Sequence, residues 1–141
     1  MIQRIQSLWL LIVAIAAFLT FTLTLYIGTT ATGAEIILPV ADKLLLAISI
    51  TAIGLLALVS IFLFKNRMLQ FKLTILGVFL SIGYLFLEYL LVENFKAEKL
   101  IASGAYRAGA LVPVVMFVFF LMAARGIYRD EKLVKSLNRL R

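Results

Sequence analysis

The run "LTILGVFLSIGYLFLEYLLV", residues 73–92, decides the fold class, because Glu88 is its one charged residue. A helix rises about 1.5 Å per residue, so twenty residues cover about 30 Å, the thickness of a bilayer's hydrocarbon core. Within the run, Thr74, Gly77, Ser81, Tyr84 and Glu88 recur at steps of three and four and so share one helix face. Leu, Ile, Val and Phe fill most of the rest. Helices in lipid gain little by hiding apolar surface from one another and associate through close contact of small residues and a few hydrogen bonds. The pattern predicts a membrane-crossing helix with a packing seam on one side and a lipid face on the other.

Three further runs, residues 8–27, 44–64 and the shorter 108–124, read the same way and carry no charge. The first is longer than the apolar part of a signal peptide and is taken as a retained helix. The chain is 64% hydrophobic and 15% charged, with mean hydropathy +1.10. A soluble domain is nearer half apolar and a quarter charged. The expected fold is therefore all-α, an integral membrane four-helix bundle over residues 1–125, with a basic amphipathic tail over residues 126–141. The turn "KNRMLQ", residues 65–70, is short enough to make the second and third spans antiparallel neighbours. Weaker small-residue seams run through Ala14, Ala17, Thr24 and Gly28 and through Ala47, Thr51 and Gly54. Of the two longer loops, residues 29–43 have turn chemistry at Gly33 and Pro39, and residues 93–107 begin as a charged helical pattern that breaks at Ser103 and Gly104.

Charge sets the expected orientation. Arg4, Lys65, Arg67, Lys72, Arg125, Arg129, Lys132, Lys135, Arg139 and Arg141 fall on one side, ten of the fourteen basic residues. The other side holds Lys43, Lys96, Lys99 and Arg107 and most of the acids. Lys and Arg concentrate on the cytoplasmic side of membrane proteins, so both termini are expected there.

The chain has neither Cys nor His. Thiolate nucleophiles, soft-metal sites and the near-neutral imidazole base are thus excluded, and no catalytic, cofactor-binding or metal-binding residue is assigned. Glu88 is the most informative residue in the spans, since an ionisable group in an apolar helix is expensive. One turn inside Val92, it is expected to pair with Arg107 at the start of the fourth span.

In the tail "RGIYRDEKLVKSLNRLR", residues 125–141, Ile127, Leu133, Val134, Leu137 and Leu140 fall on one helical face and Arg129, Lys132, Lys135 and Arg139 gather opposite. Gly126 is expected to permit a bend between the fourth span and this helix. Such a helix suits either the anionic inner leaflet or a protein groove, whereas nucleic acid is a poor match.

The opening "MIQRIQSLWLL", the turn "FKNRMLQFKLT" and the closing tail together resemble domain of unknown function 4293, a family of small four-span membrane proteins from Bacteroidota. The resemblance covers essentially the whole chain and implies a bacterial inner-membrane protein. It implies no activity and no cofactor. The expected role is a non-enzymatic accessory or scaffolding subunit of a larger inner-membrane complex, with a membrane-protein partner. The alternative is a small oligomeric transporter or channel that uses the stripe from Thr74 to Glu88.

Overall fold

The computed structural model describes residues 3–138, and side chains at 5–134 and 136. Four helices carry the chain: α1 (Gln3–Leu19), α2 (Leu44–Phe62), α3 (Arg67–Lys99) and α4 (Val112–Asn138). Each belongs to a segment long and apolar enough to cross a membrane. Each is packed against its neighbours in a closed ring, α1 on α2, α2 on α3, α3 on α4 and α4 on α1. Consecutive helices run in opposite directions, so the start of α1 and the end of α4 lie at one end of the bundle, the termini end, with the α2–α3 turn.

The buried positions follow the three-and-four rhythm on every helix. In α1 they are Gln6, Leu10, Val13, Ala14 and Ala17, and in α4 Pro113, Met116, Phe120, Ala123, Ala124, Ile127 and Asp130. At the termini end each stripe closes on a polar residue: Gln6, Ser60, Gln70 and Asp130 are all buried. Gln6 Nε2 donates to Asp130 Oδ2 at 2.7 Å and Gln70 Nε2 donates to the Ser60 carbonyl at 3.0 Å. These two bonds tie α1 to α4 and α2 to α3 where the bundle would otherwise splay.

The opposite end corrects the all-α expectation. Strands β1 (Thr24–Thr30), β2 (Glu35–Pro39) and β3 (Ile101–Tyr106) form an antiparallel sheet in the order β2-β1-β3. Thr29 faces Glu35 in one ladder and Ser103 in the other. The hairpin closes with Gly33 at φ +82°, and its amide donates to the Thr30 carbonyl at 3.0 Å. Leu25, Tyr26 and Leu38 of the sheet join Val92 and Phe95 of α3 in the same buried cluster as the helices, so the sheet is a lid on the bundle.

The first span accordingly ends early. α1 stops at Leu19, a short 3-10 turn covers Thr20–Thr22, and Tyr26 and Ile27 stand in β1. Thr24 and Gly28, assigned to a helix seam by sequence, are strand residues; Ala14 and Ala17 remain on the buried face, with Gly54 of α2 against Ala17. "TLYIGTT" is rich in β-branched and aromatic residues, and pairing with two strands outweighs its fit to an apolar helical run. The charged segment after residue 93 extends α3 to Lys99, and Leu100 ends it in the left-handed conformation at φ 49°. Ser103 and Gly104 then lie within β3. A 3-10 turn, Ala108–Leu111, precedes α4, and Pro113 sits in the first turn of that helix, where its missing N–H has no intrahelical partner to lose.

The Gln6 to Asp130 bond yields a stability prediction. Gln6→Leu leaves a buried carboxyl without its donor and is expected to lower stability by about 2 kcal/mol. The double variant Gln6→Leu with Asp130→Leu is expected to recover most of that loss, as read by thermal unfolding in detergent.

Candidate functional site

All five residues of the α3 stripe, Thr74, Gly77, Ser81, Tyr84 and Glu88, are buried. Its half nearer the termini is consumed by packing. Thr74 Oγ1 donates to the Gln70 carbonyl and Ser81 Oγ to the Gly77 carbonyl, each at 2.8 Å, so both hydroxyls are satisfied one turn back on their own helix. A Cβ at Gly77 would lie 2.5 Å from the Phe120 ring, which means glycine is what lets α4 approach α3 there.

The half nearer the sheet differs. Tyr84 Oη and Glu88 Oε2 are buried and have no hydrogen-bond partner among the described residues. They stand one turn apart on the same face, with Val92 and Phe95 buried above them. A phenol and a carboxyl so placed can hold a proton or a small polar or cationic guest, because each keeps an unused hydrogen-bonding atom.

Glu88 and Arg107 do not pair. Arg107 is exposed, and its backbone amide donates to the Leu25 carbonyl at 2.9 Å, beside β1. The pairing of β3 with β1 holds Arg107 at the sheet, and α3 runs eleven residues beyond Glu88 before it ends. Glu88 is thus well below the helix end. Among the described residues the ion pairs are instead Glu93 with Lys96 at 2.6 Å and Glu98 with Lys99 at 3.5 Å. Lys96 also lies over the rings of Tyr26 and Tyr106, at 5.3 and 5.6 Å, and ties α3 to the sheet. Burial pushes the Tyr106 phenol above its ordinary range, with Lys96 opposing, so a neutral ring faces the ammonium.

The tail departs from its expected geometry. α4 continues without interruption through Gly126 to Asn138. A Cβ at Gly126 would lie 2.8 Å from the Gln6 side chain, so this glycine serves close packing against α1 rather than a bend. The bundle therefore does not stop at residue 125. Ile127 is fully buried and Asp130 is bonded to Gln6, whereas Arg129, Lys132, Leu133 and Val134 are exposed. The apolar face predicted for the tail is therefore divided, with Ile127 inside the bundle and Leu133 and Val134 on its surface. The side chains of Lys135 and Leu137 lie outside the described residues, as do Arg139 and Leu140 entirely.

A profile for a domain of unknown function, DUF4293, matches residues 2–140. The chain belongs to the DUF4293 family. No curated protein and no solved structure matches it. Among the described residues of this DUF4293 chain, no group of three or more acids is placed to hold a metal ion. Sequence reasoning missed Gln6 and Asp130. The signal was present, since Gln6 continues the Leu10, Ala14 and Ala17 stripe and Asp130 follows Ile127 by three residues.

An unpartnered carboxyl inside a bundle costs desolvation that no contact offsets. Glu88→Leu is expected to raise unfolding stability by about 1 to 3 kcal/mol in detergent. A loss of similar size would show that a hydrogen-bonded contact holds the carboxyl.

Proposed function

We propose that the protein is a non-enzymatic integral membrane protein, an accessory or scaffolding subunit of a larger complex in the bacterial inner membrane, with both termini in the cytoplasm. One observation carries the reading. α4 has 27 residues, about 40 Å, and so outruns a hydrocarbon core of about 30 Å. Its projecting turns carry Leu133 and Val134, 55% and 41% exposed, beside Arg129 and Lys132. Apolar side chains on a basic helix past the membrane boundary suit a protein groove with an acidic rim or the anionic inner leaflet. A helix that leaves the bundle unbent favours a membrane-protein partner over lipid. Nucleic acid fits poorly, because leucine and valine offer nothing to a phosphate backbone.

The transporter or channel reading draws on a different observation, the unpartnered atoms of Tyr84 and Glu88. Against it stand the Thr74 and Ser81 hydroxyls, which are turned into their own helix, and Gly77, which is covered by Phe120. Flux that depends on pH and disappears in Glu88→Gln would establish the transporter.

Two measurements test the proposal. Extracted from its own membrane in mild detergent after crosslinking, the protein is expected to leave with a second protein, and Leu133→Ser with Val134→Ser is expected to weaken that retention about tenfold or more. Recovery of the protein alone, or only with copies of itself, counts against the subunit role. For orientation, the absence of native cysteine allows single-cysteine labelling: Thr32→Cys should react with an impermeant maleimide from outside the inner membrane, and Ser136→Cys only after permeabilisation. The reverse pattern would invert the topology.

A further inference from the structure

At the termini end, α2 finishes at Phe62 and the chain turns through residues 63–66 into α3. A cleft of about 350 Å³ opens there. Its walls are chemically divided. Ile61, Phe62 and Phe64 supply an apolar side, with Phe62 76% exposed, and Gln6, Arg67 and Gln70 supply a polar side. The polar side is fixed before any ligand arrives, because the two amides are already committed, Gln6 to Asp130 and Gln70 to the Ser60 carbonyl.

Of the residues that line the cleft, Arg67 is the one that carries a charge, and Asp130 lies behind the Gln6 amide. From residue 43 to residue 87 the chain has no Asp or Glu, while Lys65, Arg67 and Lys72 all lie in that interval. Arg67 forms no ion pair among the described residues. It stands in the first turn of a 33-residue helix, whose amino end adds positive potential at the same point. Asp130, the buried acid at this end, accepts from Gln6 and has no ion pair among the described residues. A guanidinium with no carboxylate partner, beside an aromatic wall at the level where the apolar part of the bundle ends, matches one kind of molecule best. That molecule is an anion with a hydrocarbon chain attached.

We propose that this cleft is a binding site for an anionic phospholipid, with its phosphate on the Arg67 guanidinium and an acyl chain along Phe62 and Ile61. The planar fork of Arg offers two parallel N–H donors to a phosphate, which a lysine ammonium does not reproduce. The site is separate from the tail and independent of whether the protein is an accessory subunit. It rests only on residence in a membrane, and its failure would leave the partner reading as it stands.

The test uses the full chain, purified in a neutral detergent and freed of lipid. Phosphatidylglycerol, phosphatidylcholine with the same acyl chains, and inorganic phosphate are added separately. Retention is read by native mass spectrometry and stabilisation by thermal unfolding. The phosphatidylglycerol arm is expected to give a retained lipid and a higher melting temperature, and the other two arms neither. Arg67→Ala is expected to lower retention about five- to tenfold, Arg67→Lys less, and Lys99→Ala, at the sheet end, not at all. Equal retention of phosphatidylcholine would overturn the recognition of charge, and an equal shift with inorganic phosphate would overturn the lipid as the occupant. Equal losses in Arg67→Ala and Lys99→Ala would reduce the effect to net charge and overturn the site. Should Arg67→Ala fail to fold, wild-type protein decides the matter: a photoreactive phosphatidylglycerol must label the segment that contains Ile61, Phe62 and Phe64 in preference to the hairpin around Gly33, and labelling elsewhere overturns the proposal.

Discussion

In hydrocarbon no water is available to a peptide group, so every backbone N–H and C=O within the membrane must be satisfied by the protein itself. Four helices meet that demand within each segment. A three-stranded sheet in the order β2-β1-β3 cannot, because both outer strands keep an unpaired edge. The sheet is therefore confined to an end of the bundle, where water or headgroups reach those edges. The chain divides after Leu19, where α1 gives way to the 3-10 turn Thr20–Thr22 and then to β1.

Inside the bundle, the interactions that fix one helix against another are few and local. Small residues set the closest approaches, with Gly77 beneath Phe120 and Gly126 beneath Gln6. Polar residues set the ends. Gln6 with Asp130 and Gln70 with Ser60 close the termini end in two bonded pairs, and Lys96 over Tyr26 and Tyr106 fastens α3 to the lid at the other. Gln6 with Asp130 joins elements far apart in sequence, and Gln70 with Ser60 joins consecutive helices across their turn, so the arrangement holds register as well as contact. The result is a bundle whose polar atoms are largely accounted for, with Tyr84 Oη and Glu88 Oε2 as the buried side-chain exceptions among the described residues.

Those exceptions, the projecting turns of α4 and the cleft beside Arg67 are three places among the described residues with chemistry not spent on the fold. They differ in kind. The first is enclosed and small, the second is an open apolar and basic ridge, and the third is a cleft with an apolar and a polar wall. The seam on α3 needs no function to explain most of it, since Thr74, Gly77 and Ser81 are used in packing.

The sequence by itself determined four apolar helices, the burial rhythm of α3 and the clustering of positive charge, because each is a local property of composition and period. Gly77 and Ser81 could be placed on a buried face by counting in threes and fours, with no knowledge of the neighbour. It could not show which neighbour covers them, that Arg107 would be held at the sheet and away from Glu88, or that Gly126 marks a contact with Gln6 and not a hinge. The strands were hidden because Leu25, Tyr26 and Ile27 satisfy a hydropathy window as well in a strand as in a helix, and β3, "IASGAY", has little strand preference of its own. What decided these points is pairing between segments separated by about seventy to one hundred and twenty residues, Thr29 with Ser103 and Gln6 with Asp130, and such pairing exists only once the bundle has closed.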